Sequence, residues 1–324
     1  MGEIGLTFGA LLIGALVACS LSGVVFLQSV MYFMIYPKDR MARKVTVGAI
    51  WALDQFHTLL IMISMWDYFV KHFGDAQIID DIPWTLATTI AVTAVITFIV
   101  HCFLALRIHM LVKKNWWISG PIVVMAALRL VAAVSTTGAM IKLTSFTKYS
   151  DDFGWMFTIG LGLSSAVDCV ITITLCYYLR SNRGGTTSLN RAIDSLVLYT
   201  FETGALTSVA AISSMMCWLL MRHNRIFLAL HFVISKLYAN SLLATLNMRI
   251  TLNRGSNHIH FDTSLVVSAI DTSLPSPLRS SEPSDRTHGF YAGSVNGMTK
   301  LEINVERNTE SQVNDDSKVA SIAA

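Results

Sequence analysis

Residues 9–36 read GALLIGALVACSLSGVVFLQSVMYFMIY, 28 positions without one charged side chain. About 20 apolar residues, rising 1.5 Å each, cross a hydrocarbon core ~30 Å thick. Backbone in hydrocarbon must satisfy its own hydrogen bonds, and a single apolar run does so only as a helix. Glu3 is the only charge before Lys38, so the run lacks the basic flank of a cleaved leader and continues well past a leader's length. It reads as a first membrane-spanning helix. The opening residues also miss the myristoylation pattern, since Leu6 stands where Ser or Thr is needed.

Six further runs repeat the pattern, giving spans at about 9–36, 45–70, 86–112, 118–141, 156–179, 192–220 and 227–249. The separators are short and polar: Pro37-Lys38-Asp39-Arg40, Asp80-Asp81-Ile82-Pro83, Lys113-Lys114-Asn115, Ser181-Asn182-Arg183-Gly184-Gly185 and Met221-Arg222-His223-Asn224-Arg225. The expected fold is therefore an all-α membrane protein, a seven-transmembrane-helix bundle over residues 1–250. Trp66, Trp84, Trp116, Trp117, Trp155 and Trp218 stand near the expected ends, at headgroup depth. Gly5/Gly9 and Gly160/Ser164 have the four-residue spacing of small residues that lets helices approach closely.

Charge divides the chain in two. Residues 1–249 hold 30 charged side chains, and the far shorter 250–324 hold 15. The first part has a basic excess of 18 against 12, which membrane orientation explains without nucleic acid. With the N-terminus outside, inner segments carry twelve Lys and Arg and outer segments five, as the excess of positive charge on cytoplasmic loops requires. The acids Asp75, Asp80, Asp81, Asp151 and Asp152 then gather outside. Beyond Thr251 hydrophobic periodicity stops. Residues 251–324, with twelve serines, read as a disordered cytoplasmic tail that cannot bury enough apolar area to offset its ordering entropy. A multi-pass location in the plasma membrane is expected. The five cysteines all lie in apolar runs, so they read as buried thiols rather than a disulfide framework.

Function should reside in the charges that break the apolar runs. An ionisable group at mid-bilayer is disfavoured by about 2.5–3.5 kcal/mol on insertion scales, so it turns inward to a partner. His57, His101, Arg129, Asp168 and Lys236 fall near mid-depth, with Asp54 and Glu202 about a turn nearer the inner side. Residues three or four apart share a helix face. Asp54 and His57 share one, Lys236, Asn240 and Asn247 another, and Ser165, Asp168 and Thr172 a third; Glu202 shares its side with Leu206, Val209 and Ser213. The candidate polar interior, or ligand site, comprises Asp54, His57, Lys236, Asn240, Asn247 and Glu202. Two ion pairs are expected, Asp54 with Lys236 and Arg129 with Asp168, the second as a structural pair. That such pairs only fix helix register stays open. No catalytic set is legible. No metal is expected, since no helix carries His-x-x-x-His and His231 lies a turn or two from His57 and His101. No cofactor is expected either: Lys236 sits where a retinal Schiff base would, but the third helix has no acidic counter-ion.

Lys236-Leu237-Tyr238-Ala239-Asn240-Ser241-Leu242-Leu243-Ala244-Thr245-Leu246-Asn247-Met248-Arg249, Trp51-Ala52-Leu53-Asp54-Gln55-Phe56-His57-Thr58, Tyr36-Pro37-Lys38-Asp39 and Gly9-Ala10-Leu11-Leu12-Ile13-Gly14 together resemble a family of basidiomycete fungal integral membrane proteins sharing a domain of unknown function. The resemblance covers residues 9–250. It implies a fungal source and seven helices, and it brings no activity. The chain is unlike rhodopsin-like receptors: the third helix ends Leu106-Arg107-Ile108-His109, and the seventh lacks Asn-Pro-x-x-Tyr. The first expectation is a receptor-like protein with a small-molecule ligand in its interior and a cytoplasmic protein partner at its tail. A transporter or channel is the second, and an intramembrane enzyme the third.

Overall fold

The computed structural model describes residues 2–75, 78, 80–112, 115–181, 187–221 and 224–248. The tail 251–324 and the basic residues Lys113, Lys114, Arg183, Arg222 and Arg249 lie outside the described residues. Seven helices follow in order: α1 (Gly2–Ile35), α2 (Met41–Trp66), α3 (Trp84–Leu111), α4 (Trp116–Leu143), α5 (Phe146–Ser181), α6 (Thr187–Leu220) and α7 (Ile226–Asn247). Each contains a stretch long and apolar enough to cross a membrane. The chain is a multi-pass membrane protein of all-α class.

The helix ends follow local chemistry. Asn115 caps α4 by accepting from the Trp117 amide at 3.0 Å, an ordinary N-cap bond. Thr144, at φ 53°, ends α4, and the chain enters α5 two residues later. So α5 begins at Phe146, ten residues ahead of the apolar run that predicts it. Lys148, Asp151 and Asp152 are helical and not loop, because hydropathy reports the membrane part of a helix and not its polar extension. A π-helical turn, Asp67–Lys71, continues α2.

Tyr68, Asp80–Ile82, Thr144–Phe146 and Arg225 meet at one end of the bundle, here the acidic end. The Ile82 amide donates to the Thr144 carbonyl at 2.8 Å and the Phe146 amide to the Asp80 carbonyl at 2.8 Å. The opposite, basic end holds Tyr36, Asp39 and Asn247.

Each helix touches its neighbour in sequence, and α1 touches α7, so the helices close into a ring. Helices α3 and α7 are the most enclosed, and α7 also meets α2 and α3. The close approach of α1 to α7 requires Gly14: a Cβ there would stand 2.7 Å from the Ala229 Cα. Gly9 and Gly160, which the small-residue spacing singles out, face open space instead. Trp218 also departs from expectation. Its indole is buried against Phe157 and Phe227, and its Nε1 donates to Thr158 at 3.1 Å, whereas Trp66, Trp84, Trp116, Trp117 and Trp155 are exposed.

Candidate functional site

Helix α7 places Lys236 and Tyr238 two residues apart, on different sides of the helix, and each side meets a carboxylate.

On the first side, Lys236 Nζ lies 2.9 Å from Asp54 Oδ1 with both side chains fully buried. It also donates to the Asp54 carbonyl at 3.0 Å and to Thr58 Oγ1 at 2.6 Å. An ammonium has three donors, and all three are used. Asp54 and Thr58 are four apart on α2, so one turn presents both to the lysine. The second carboxylate oxygen accepts from Ser22 of α1 at 2.5 Å. Gln55 Nε2 and Thr58 Oγ1 donate to the Ser22 hydroxyl at 3.2 and 3.1 Å. The network thus ties α1, α2 and α7 together with every charge answered. Expectation and structure agree on Asp54–Lys236; Ser22, an uncharged residue within the charge-free run 9–36, carries no sequence signal for its part.

His57 is buried a turn away but turns to α3, where its Nε2 lies 3.1 Å from Thr93 Oγ1. Asn240 and Asn247 turn to α1. Their Nδ2 atoms donate to the carbonyls of Leu21 at 3.3 Å and Gln28 at 2.9 Å. Both pairs of positions are seven residues apart, so the two asparagines are rungs of a parallel helix pair in heptad register. They fasten α7 to α1. Glu202 departs further from expectation. It is exposed, on the same outward side as the exposed Leu206 and Val209, and so lies outside the polar interior. The inward face of α6 carries Thr207, Ser208, Ala211 and Ser214.

On the second side of α7, Tyr238 donates to Asp168 Oδ2 at 2.5 Å. The other carboxylate oxygen accepts from His101 Nε2 at 3.0 Å, and the Ser164 hydroxyl lies 2.8 Å from the tyrosine oxygen. Asp168 therefore joins α3, α5 and α7. The expected Arg129–Asp168 ion pair does not form. Arg129 is buried, yet none of the hydrogen bonds or ion pairs among the described residues includes it. Sequential helices are neighbours, but adjacency does not set their rotation: α5 turns Asp168 towards α3 and α7 rather than α4. Tyr238, uncharged, escapes a search for intramembrane charges.

A crevice of about 30 Å³ reaches this second network, with Asp168 and Tyr238 in its wall beside Arg107, Thr203, Thr207 and Ser241. Gly204 lets α6 close on α5 there, since a Cβ would collide with the Thr172 hydroxyl. Among the described residues no three His, Cys, Asp or Glu side chains converge as a metal site would require.

The acidic end holds a separate polar cluster. Asp80 accepts from Ser145 Oγ at 2.5 Å and from the amide and hydroxyl of Thr147 at 2.9 and 2.7 Å. Arg225 lies 3.8 Å from Asp80 and 3.9 Å over the Phe146 ring. Partial burial pushes the Asp80 carboxyl up, but these hydrogen bonds and Arg225 outweigh it and hold it below its ordinary value.

A family of unknown function, DUF6534, matches residues 164–251. The match takes in the second half of α5 with α6 and α7, hence Asp168, Lys236 and Tyr238, and leaves out Asp54 and His101. No curated protein and no solved structure matches the chain.

Proposed function

We propose that this chain is a receptor-like membrane protein in which α7 reads the occupancy of a small-ligand site. One observation carries the reading: Lys236 and Tyr238 bind carboxylates on different neighbours, Asp54 on α2 and Asp168 on α5. A ligand competing for Asp168 frees one side of α7 while Asp54 and the asparagine rungs hold the other. That asymmetry gives a two-state element, which any ligand-driven switch needs. The crevice beside Asp168 is the entry we assign to the ligand, and its hydroxyls suit a small polar molecule. In sequence, the serine-containing tail follows α7, the helix to which this reading assigns the switch. The twelve-to-five basic bias supports an outer N-terminus and a cytoplasmic tail that recruits a protein partner, in the plasma membrane of a fungal cell.

The second reading, a transporter, draws on the same crevice, because a polar path to a mid-depth carboxylate also suits a moving ion. Two measurements separate them. Small polar molecules are screened for a rise in the thermal midpoint of the full-length protein in nanodiscs, with D168N as the control. A molecule that stabilises the wild type and leaves D168N unmoved supports the receptor. Proton or potassium flux into vesicles bearing the protein, with no stabilising molecule found, overturns it in favour of the transporter.

A further inference from the structure

Arg129 has a second setting that the Asp168 network does not use. Where α4 and α5 meet α3 and α7 lies a cavity of about 20 Å³, lined by Arg129, Thr136, Gly160 and His231 among others. That is room for one water-sized group. Three donors border it. A guanidinium is always protonated, and Arg129 is buried with no ion pair or hydrogen bond among the described residues. The charge of Asp168 acts on the guanidinium at longer range, but its hydrogen bonds go to His101 and Tyr238, and none joins it to Arg129 among the described residues. His231 is buried with neither ring nitrogen bonded, and one of them carries a proton in either tautomer. Thr136 accepts from Tyr149 at 3.3 Å, which leaves its own proton to donate.

The rest of the wall is apolar, including Ile90, Phe157 and Leu161, and offers the arginine nothing. A buried charge without a partner is strongly unfavourable, and hydrocarbon on the other side of the helices cannot relieve it. The rim residues Ala133, Met156 and Gly160 are only half-buried, so the cavity opens sideways between α4 and α5.

We infer that this cavity binds a small monovalent anion, either a halide or a single carboxylate head. Arg129 supplies the charge, and His231 and Thr136 supply neutral donors. One cation and about one water's volume exclude phosphate and sulfate. The anion has two sources: an aqueous ion such as chloride, or a fatty acid entering from the bilayer between α4 and α5. The site is distinct from that of the receptor reading, since neither Asp54 nor Asp168 lines it.

The test uses full-length protein in nanodiscs under sodium sulfate, titrated with sodium chloride at constant ionic strength and, separately, with laurate. Binding is read as the ligand-induced rise of the thermal midpoint, so a variant's own stability does not enter. The wild type is expected to rise by about 3 °C or more near saturation with at least one ligand. Chloride alone assigns an aqueous ion, and laurate alone a lipid carboxylate. R129Q removes the charge. G160L blocks the rim with little strain, because a Cβ at Gly160 meets nothing within 4 Å. Each is expected to weaken binding about ten-fold or more. If R129Q fails to fold, G160L decides. No saturable shift with either ligand, or wild-type affinity in G160L, overturns the proposal.

Discussion

The Asp54 network and the Arg129 cavity hold similar groups in one bundle, yet they are built to opposite ends. At Asp54 the ammonium has three acceptors, the carboxylate has a cation and a hydroxyl, and side chains of three helices enclose the pair. At Arg129 the cation shares its cavity with a histidine that has two unbonded nitrogens, one threonine hydroxyl and an otherwise apolar wall. The first arrangement is complete without anything from outside. The second is incomplete as a protein structure. The difference teaches how to tell a fastening from a binding site inside a membrane: the useful signal is the charge left without a partner, and not the charge alone.

The largest expected effect attacks the complete network. Lys236→Met leaves Asp54 buried without its cation, which should lower stability by about 3–5 kcal/mol. The thermal midpoint in nanodiscs should collapse, and the double variant D54N/K236M should recover much of the loss. A single variant as stable as the wild type would show that Asp54 is not charged there. Next in size is Tyr238→Phe, which takes a hydrogen bond from a buried carboxylate. About 1.5–3 kcal/mol is expected, with faster amide exchange in α7 around Ala239–Leu243 and little change near Ser22. Arg129→Gln removes a buried cation that has no hydrogen-bonded partner, so in buffer free of halide and fatty acid it should leave stability unchanged or raise it by about 1 kcal/mol. A loss as large as that of Lys236→Met would erase the contrast between the two regions.

The smallest effect belongs to the acidic end, outside the spans. The folded Asp80 carboxyl titrates below its ordinary value, so its hydrogen bonds contribute fully above about pH 3.9. That contribution fades as pH falls through the lower folded value. The protection of the Thr147 amide, its exchange rate relative to the intrinsic rate at the same pH, should therefore hold to about pH 4 and fall below it. Asp80→Asn should remove the pH step.

The seven helices are legible in the sequence because the membrane enforces length and polarity so strictly that a charge-free run admits few readings. Asp54–Lys236 is legible for the same reason, each member being too disfavoured at its depth to stand alone. The errors share one cause: depth is written in the sequence, and helix rotation is not. Arg129 and Asp168 sit on sequential helices at similar depth, and rotation turns the aspartate away. Glu202 lies near enough to the basic end of α6 for a carboxylate to reach headgroups, so nothing forces it inward. Ser22, Ser164 and Tyr238 were invisible because an uncharged hydroxyl in a spanning helix usually bonds its own backbone, as Ser29 does to Val25. Asn240 and Asn247 showed their shared face but not that the face meets α1.

The closed ring bears on how the molecule is made. Helix α1 fastens to α7, through Gly14 at Ala229 and the rungs at Leu21 and Gln28, and α2 carries a carboxylate whose cation is Lys236. A nascent chain is synthesised from α1 onward, so Asp54 reaches the translocon long before its partner has been translated. Any chain stopped ahead of Ile226 leaves that acid unmatched and the first helix without its neighbour. Arrival of the last helix neutralises the second, and a ribosome that finishes its message is the precondition for a stable bundle.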